Sequence, residues 1–350
     1  MCKKLIRLTA LTGSIVVGLA CASAGAQDIA SAIKISTASV EVAAVDRLPG
    51  NPMISPYMIP GVDGENINGP SIIRVPEWLP EPLGQYYLYF AHHKGSYIRM
   101  AYADSLSGPW QIHEPGTLRV DQTRCDDLPH PERVPGVHVA SPDVHVDNNS
   151  RQIRMYFHCH VFLGGEPLAD YPQRTLVATS NDGIEFDARK EILGNSYFRV
   201  FEWSGSYYAL GKPGVFYKSE DGLTDFEEGP TLFTANMRHS AVMVRDNRLL
   251  VFYTVIGDDP ERILLSEIEL TPDWMSWKKT DPLLVIEPET EWEGGSIPSA
   301  PSQRSFAVGP VRQLRDPALF HEDGETYLVY AVAGEQGIAI ARLGLNHNRN

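Results

Sequence analysis

The chain has 350 residues, 43% of them hydrophobic and 21% charged, and a formal net charge of −14. That composition belongs to a globular protein and excludes intrinsic disorder. The acidic balance argues against nucleic acid or an anionic membrane as partner.

The first segment, "MCKKLIRLTALTGSIVVGLACASAGA", has a basic start, a short apolar run and a small-residue end. It reads as a signal peptide over residues 1–26, with the mature chain starting at Gln27. Residues 27–350 then form a single domain, periplasmic or secreted, with no later membrane-length apolar span and no membrane contact after cleavage. Cys125 and Cys159 remain after cleavage; in an oxidising compartment they either form one disulfide or stay two thiols.

Helical periodicity is almost missing from there on. Short alternating or aromatic-rich runs bounded by Gly, Asn, Asp and Pro follow one another instead, and these read as strands. They recur in a fixed order. "NGPSIIRV" (Asn68–Val75) leads to "QYYLYFA", the turn "HHKG" and "YIRMAYA". "ASPDVHVD" (Ala140–Asp147) leads to "QIRMYFH" and the long loop "VFLGGEPLADYPQ". "SYFRVFEW" (Ser196–Trp203), "MRHSAVMV" (Met237–Val244) and "LRDPALFH" (Leu314–His321) open three further units. Five such units, of about 40–75 residues each, match the blades of a propeller; an open β-sandwich or two smaller β domains is the alternative. The last unit stops after its third strand, "GIAIARL". The segment "VEVAAVDRLPGNPMI" near the N-terminus is expected to supply the fourth and close the ring. The fold class is therefore all-β, a five-bladed β-propeller with the N-terminal segment closing the last blade.

In a blade, the loop between strands two and three lies at the same face as the start of strand one. That face is expected to gather His92, His93, Lys94, His158, His160, Lys212, Asp258, Asp259 and Glu335. The opening residues Asn66, Asn68, Asp143, Arg199, Arg238, His239, Arg315 and Asp316 join them. Convergence of several polar loops on one hollow is a candidate site.

The quoted runs, with "NPMI" before "NGPSII" and "YADSLSGPW" after the first strands, resemble the five-bladed propeller glycoside hydrolases of family 43 and their relatives in families 32, 117 and 130. The resemblance covers nearly the whole mature chain. It implies a glycosidase acting on an oligosaccharide or polysaccharide. Those enzymes commonly open blade one with an Asp-Pro pair whose aspartate is base or nucleophile. Here the matching pair is Gly69-Pro70, and an Asp-Pro pair stands instead at Asp316-Pro317.

Glycoside hydrolysis normally uses two carboxyl groups, one donating a proton and one activating water or attacking the sugar. The candidate catalytic residues are Asp143, Asp316, His92 and His93. The candidate substrate-binding residues are Asn68, Lys94, Arg99, His158, His160, Arg199, Arg238, Trp292 and Glu293, with Trp292 expected to stack on a sugar. Glu202 is a further carboxylate candidate. So many cations in an acidic chain suit an anionic carbohydrate substrate. No cofactor is required, although relatives often hold a cation in the channel near a histidine. His239 is therefore the candidate metal ligand, for a divalent cation such as calcium. The protein is expected to be a monomer or homodimer. A polysaccharide lyase with His92 or His93 as base and Lys94 or Arg199 as neutraliser is a second reading, and a non-catalytic carbohydrate-binding protein is a third.

Overall fold

A computed structural model describes residues 40–127, 138–164 and 172–347. Residues 1–26, expected to be a signal peptide, lie outside them, and among the described residues no helix is long and apolar enough to cross a membrane. The described chain is all-β, with short 3-10 turns between strands, and its strands form five separate sheets. Blade one is β2 (Asn68–Arg74), β3 (Tyr86–Ala91), β4 (Arg99–Ala103) and β5 (Gln111–His113). Blade two is β6 (Ala140–Asp147), β7 (Gln152–His160), β8 (Gln173–Ser180) and β10 (Gly194–Asn195), with β9 (Asp187–Ala188) also on β8. Blade three is β11 (Arg199–Trp203), β12 (Ser206–Gly211), β13 (Val215–Ser219) and β14 (Glu227–Thr231). Blade four is β15 (Met237–Arg245), β16 (Arg248–Val255), β17 (Ile263–Glu269) and β18 (Leu283–Ile286). Blade five joins β19 (Arg315–Glu322), β20 (Glu325–Ala331) and β21 (Ile338–His347) to β1 (Val40–Arg47), as the sequence predicts.

The runs that look continuously apolar are strands buried on both faces. On β3, Tyr87 and Tyr89 point into the core shared with blade two, against Met155 and Phe157. Leu88 and Phe90 point the other way, toward Val329 and Ile340 of blade five. The same holds round the wheel: five core clusters fill the five gaps between neighbouring sheets. Cys125 and Cys159 form a disulfide with Cα atoms 5.9 Å apart. It ties the segment after blade one to β7.

Closure is antiparallel pairing of β1 with β21, fastened by a side-chain clasp. Arg47 on β1 donates from Nε to Glu293 Oε1 at 2.8 Å and from Nη2 to Glu293 Oε2 at 3.0 Å. Tyr330 on β20 donates its hydroxyl to the same carboxylate at 2.9 Å, and the Glu289 and Thr290 amides donate to it at 3.0 Å. Burial alone would raise the Glu293 pKa, but Arg47 and these amides hold it below the usual value. Glu293 therefore closes the ring and does not line the sugar site expected of it. Its neighbour Trp292 is partly buried and packs against the core between blades four and five. Removing one partner from a buried ion pair strands the other. Glu293→Gln is expected to lower the unfolding free energy by about 3 kcal/mol or more, read by urea denaturation.

Candidate active site at the propeller hub

The hub is built by one device used repeatedly. In blade one, Asn68 faces Ala91 while Ser71 faces Tyr89, so three steps on β2 match two on β3. The same one-residue bulge opens β6, β15 and β19. A bulge bends the strand and re-aims side chains. It turns Ser141, His239 and Asp316, on three of the innermost strands, toward the channel. Three non-glycine opening residues adopt left-handed backbone: Ser141 at φ 50°, Tyr197 at 64° and Asp316 at 45°. Gly69 holds the matching place in blade one at φ 58°, and an added Cβ would lie 3.0 Å from Ser141 Cα. The first-blade carboxylate is missing from a position with little room for a side chain. Gly69→Ala should cost about 1–2 kcal/mol from the left-handed backbone alone, read as a lower urea midpoint.

Asp316 sits at the centre with 1% of its surface exposed. Neither carboxylate oxygen has a hydrogen-bond partner among the described residues. His239 Nδ1 accepts the Asp316 amide N–H at 3.2 Å, and its Nε2 lies 3.3 Å from Asp316 Oδ1. Burial, then the charge of Glu335, push the Asp316 pKa up to about 7, against the pull of His93, Arg315 and Arg199.

Glu335 is the opposite case. It is fully buried, yet Arg315 donates to Oε1 at 2.7 Å and Asn66 donates to Oε2. His93 Nδ1 lies 2.9 Å from Oε2. Burial would raise its pKa, but His93, Arg315 and Asn66 hold it down to about 2. Two carboxyl groups with pKa values driven apart are the usual mark of an acid and its ionised partner. The remaining wall is aromatic. Tyr197 lies between the rings of His158 and His239, with centroids 4.3 and 5.2 Å away. Burial, then neighbouring charges, lower the pKa of both histidines well below the usual value, so they are neutral.

His93, Asn68, His158, His239 and Asp316 thus meet as the sequence predicts. Asn68 donates to Asn66 at 2.7 Å and lies 2.8 Å from His93 Nδ1. His160, at the end of β7, packs on His138 at the rim. Other candidates are placed differently. Arg99 is spent on the carbonyls of Asp63, Asn66 and Ala91. Arg199 donates to those of Ser240, Ser141, Pro142 and Phe198. Arg238 donates to Gln303 and Ser305 carbonyls and faces Glu261 at 3.5 Å. All three are buried braces, not ligand-facing cations. Asp143 lies deeper on β6 and accepts from Val200 N–H at 2.7 Å, with His145 2.9 Å away. Burial would raise its pKa, but His145, Arg199 and Val200 hold it low. It is committed there, away from Asp316. His92 and Lys94 line a cavity of about 320 Å³ that the hub residues His93 and Asn66 also line, together with Phe306 and Gln336; Lys94 Nζ lies 4.7 Å from the Phe306 ring centre there. Glu202 is exposed, and Asp259 bonds Ser299.

Both nitrogens of His239 face Asp316, and Arg238, Arg315 and Lys212 add positive charge around the ring. Calcium takes a shell of several oxygens, so this setting does not fit it, and no step is derived through one. Among the described residues no group of three or more His, Cys, Asp or Glu is spaced to hold a metal ion. Tyr197 and Glu261 are hub residues that the sequence reading misses. Aligning the third opening, "SYFRVFEW", with Gly69, Ser141 and Asp316 would have marked Tyr197.

These features define a five-bladed β-propeller of the kind seen in family-43 glycoside hydrolases. A thermostable family-43 glycoside hydrolase aligns at TM-score 0.50 with 15% identity, covering 81% of this chain and 94% of that one. A family-43 β-xylosidase/α-arabinofuranosidase from a compost metagenome aligns at 0.52 with 12% identity, covering 87% and 95%. A Bacteroides ovatus protein aligns at 0.57 with 13% identity, covering 87% and 97%. At these identities the likeness is one of fold. No family model matches the sequence. The chain belongs to the family of "Uncharacterized protein R118" from Acanthamoeba polyphaga mimivirus, to which it is 35% identical over 325 residues, 85% of this chain and 90% of the relative.

The raised Asp316 pKa has a stability consequence. Between about pH 4 and pH 7 an unfolded aspartate has lost its proton while folded Asp316 still holds one. Asp316 therefore makes the fold less stable as pH rises through that window. Asp316→Asn should gain stability relative to the wild type from pH 4 to 7 and hold that gain above it, measured by denaturation at several pH values.

Proposed function

We propose that the protein is an exported glycoside hydrolase acting on an oligosaccharide or polysaccharide, with Asp316 as general acid. The observation that carries this is a buried carboxyl with a pKa of about 7, with no hydrogen bond to either oxygen and only the His239 ring 3.3 Å from Oδ1, beside an ionised Glu335. A group half-protonated near neutral pH suits proton donation to a glycosidic oxygen. Glu335 cannot easily attack or deprotonate water itself, because Arg315, Asn66 and His93 occupy both its oxygens. It instead orients His93 through Nδ1, leaving Nε2 to take a proton from the attacking water. The bond from the anomeric carbon to the leaving oxygen breaks as Asp316 delivers its proton. Water supplies the new C–O bond, and both side chains return to their starting states by exchange with solvent.

Asp316→Asn is expected to lower kcat by about 10²–10⁴-fold with the fold retained, measured as reducing-end release from a panel of oligosaccharides. Near-normal turnover would remove Asp316 from the chemistry. In the wild type the rate should fall as pH rises through about 7, where the acid loses its proton.

Elimination is a second reading, favoured by one feature: the neutral imidazoles of His158 and His239 flank Tyr197, whose ring centre lies 5.4 Å from Lys212 Nζ. A base beside a cation is what removal of a proton next to a uronate requires. Products with a new ultraviolet-absorbing double bond and no water uptake would favour it over hydrolysis.

A further inference from the structure

We propose that Lys212 is the anion-binding residue of the hub, and that the sugar unit held against Asp316 is acidic, carrying a carboxylate or a sulfate. This rests on the glycosidase reading and names its substrate class.

The argument is one of charge left over. Arg199, 3% exposed, donates to backbone carbonyls from Nε and Nη1 while its Nη2 has no partner; Arg238 is bonded to carbonyls and faces Glu261, and Arg315 is bonded to Gln313, Glu261 and Glu335. Lys94 is exposed and lies over Phe306. Lys212 differs from all of these. It stands in the turn between β12 and β13, half-buried, with its backbone N–H donating to Ser196 O at 2.8 Å. Its ammonium lies over the Tyr197 ring, 5.4 Å from the centre. No carboxylate lies within 4 Å of it among the described residues.

The field around it is positive. Burial, then Arg238 and Arg304, lower its proton affinity, and Asp316 alone acts the other way. Near neutral pH that carboxyl is itself about half protonated. Two other buried acids are already paired: Glu335 with Arg315, and Glu261 with Arg238 and Arg315. A half-desolvated ammonium among cations gains most from an anion brought by a ligand. An acid group at Lys212 would put that unit next to Asp316, where a proton is to be delivered. The arrangement also gives selectivity, since a neutral sugar leaves the ammonium unpaired.

The test is calorimetric titration of the wild type, Lys212→Met and Lys212→Arg with galacturonate, galactose 6-sulfate and uncharged galactose, each variant first checked for wild-type thermal unfolding. The expected result is that one anionic sugar binds at least about 10-fold tighter than galactose, less so at high salt. Lys212→Met should lose that preference, about 10-fold or more of the anionic sugar's affinity, with galactose unchanged, and Lys212→Arg should recover part of it. Which anionic sugar binds identifies the acid group. Equal affinity for charged and uncharged sugars, no binding of either anionic sugar, or an unchanged Lys212→Met would each overturn the proposal. The outcome separates from that of the hydrolase reading. Hydrolysis of neutral oligosaccharides that is lost with Asp316→Asn, without anion preference, would sink Lys212 alone. Anion preference lost with Lys212→Met, without hydrolysis of any sugar, would sink the hydrolase alone.

Discussion

Arg315 is buried to 2% exposure, with Glu335 Oε1 2.7 Å from Nη1 and Glu261 Oε2 3.4 Å from Nε. A guanidinium so far from water is tolerable only when carboxylates surround it. His93 first, and then Arg315 and Asn66, keep Glu335 ionised in a place where burial alone would neutralise it. The charge of Glu335 then helps keep the next carboxyl, Asp316, protonated to about pH 7. The proton affinity of Asp316 is therefore raised first by burial and then by the charge of Glu335, which His93 and Arg315 hold ionised.

The pairing of Arg315 with Glu335 joins separate parts of the wheel. Glu261 is on the loop before β17, Arg315 opens β19, and Glu335 follows β20, while Asn66 and His93 come from the first blade. Ring closure by β1 brings blades five and one into register, with the Arg47–Glu293 clasp holding the outer edge. A wheel that failed to close would leave Glu335 without Asn66 and His93. Stability at the rim and electrostatics at the hub are linked through that geometry.

Most of the buried arginines do not serve recognition. Arg99, Arg199 and Arg238 each donate to carbonyls of loops or neighbouring strands. Bulges leave carbonyls without ladder partners, and a guanidinium with five donors can satisfy several at once. Lysine has no such fork, which is why Lys212 stands apart as a point charge without a structural duty.

The sequence by itself determined the blade count, the all-β character and the closing segment. Alternation within strands and the repeated openings are local properties of the chain, as with "NGPSIIRV", "ASPDVHVD" and "LRDPALFH". It also placed His93, Asn68, His158, His239 and Asp316 on one face, because blade topology converts strand position into hub position. It could not say which charges were spent. Arg99, Arg199, Arg238 and Glu293 look like free ionic groups in one dimension, and only folded coordinates reveal the carbonyls and counter-ions that occupy them. Tyr197 and the split between Asp316 and Glu335 were decided by tertiary structure alone. Burial and the distance between charges from remote segments fix a proton's affinity, and neither quantity is written in local sequence.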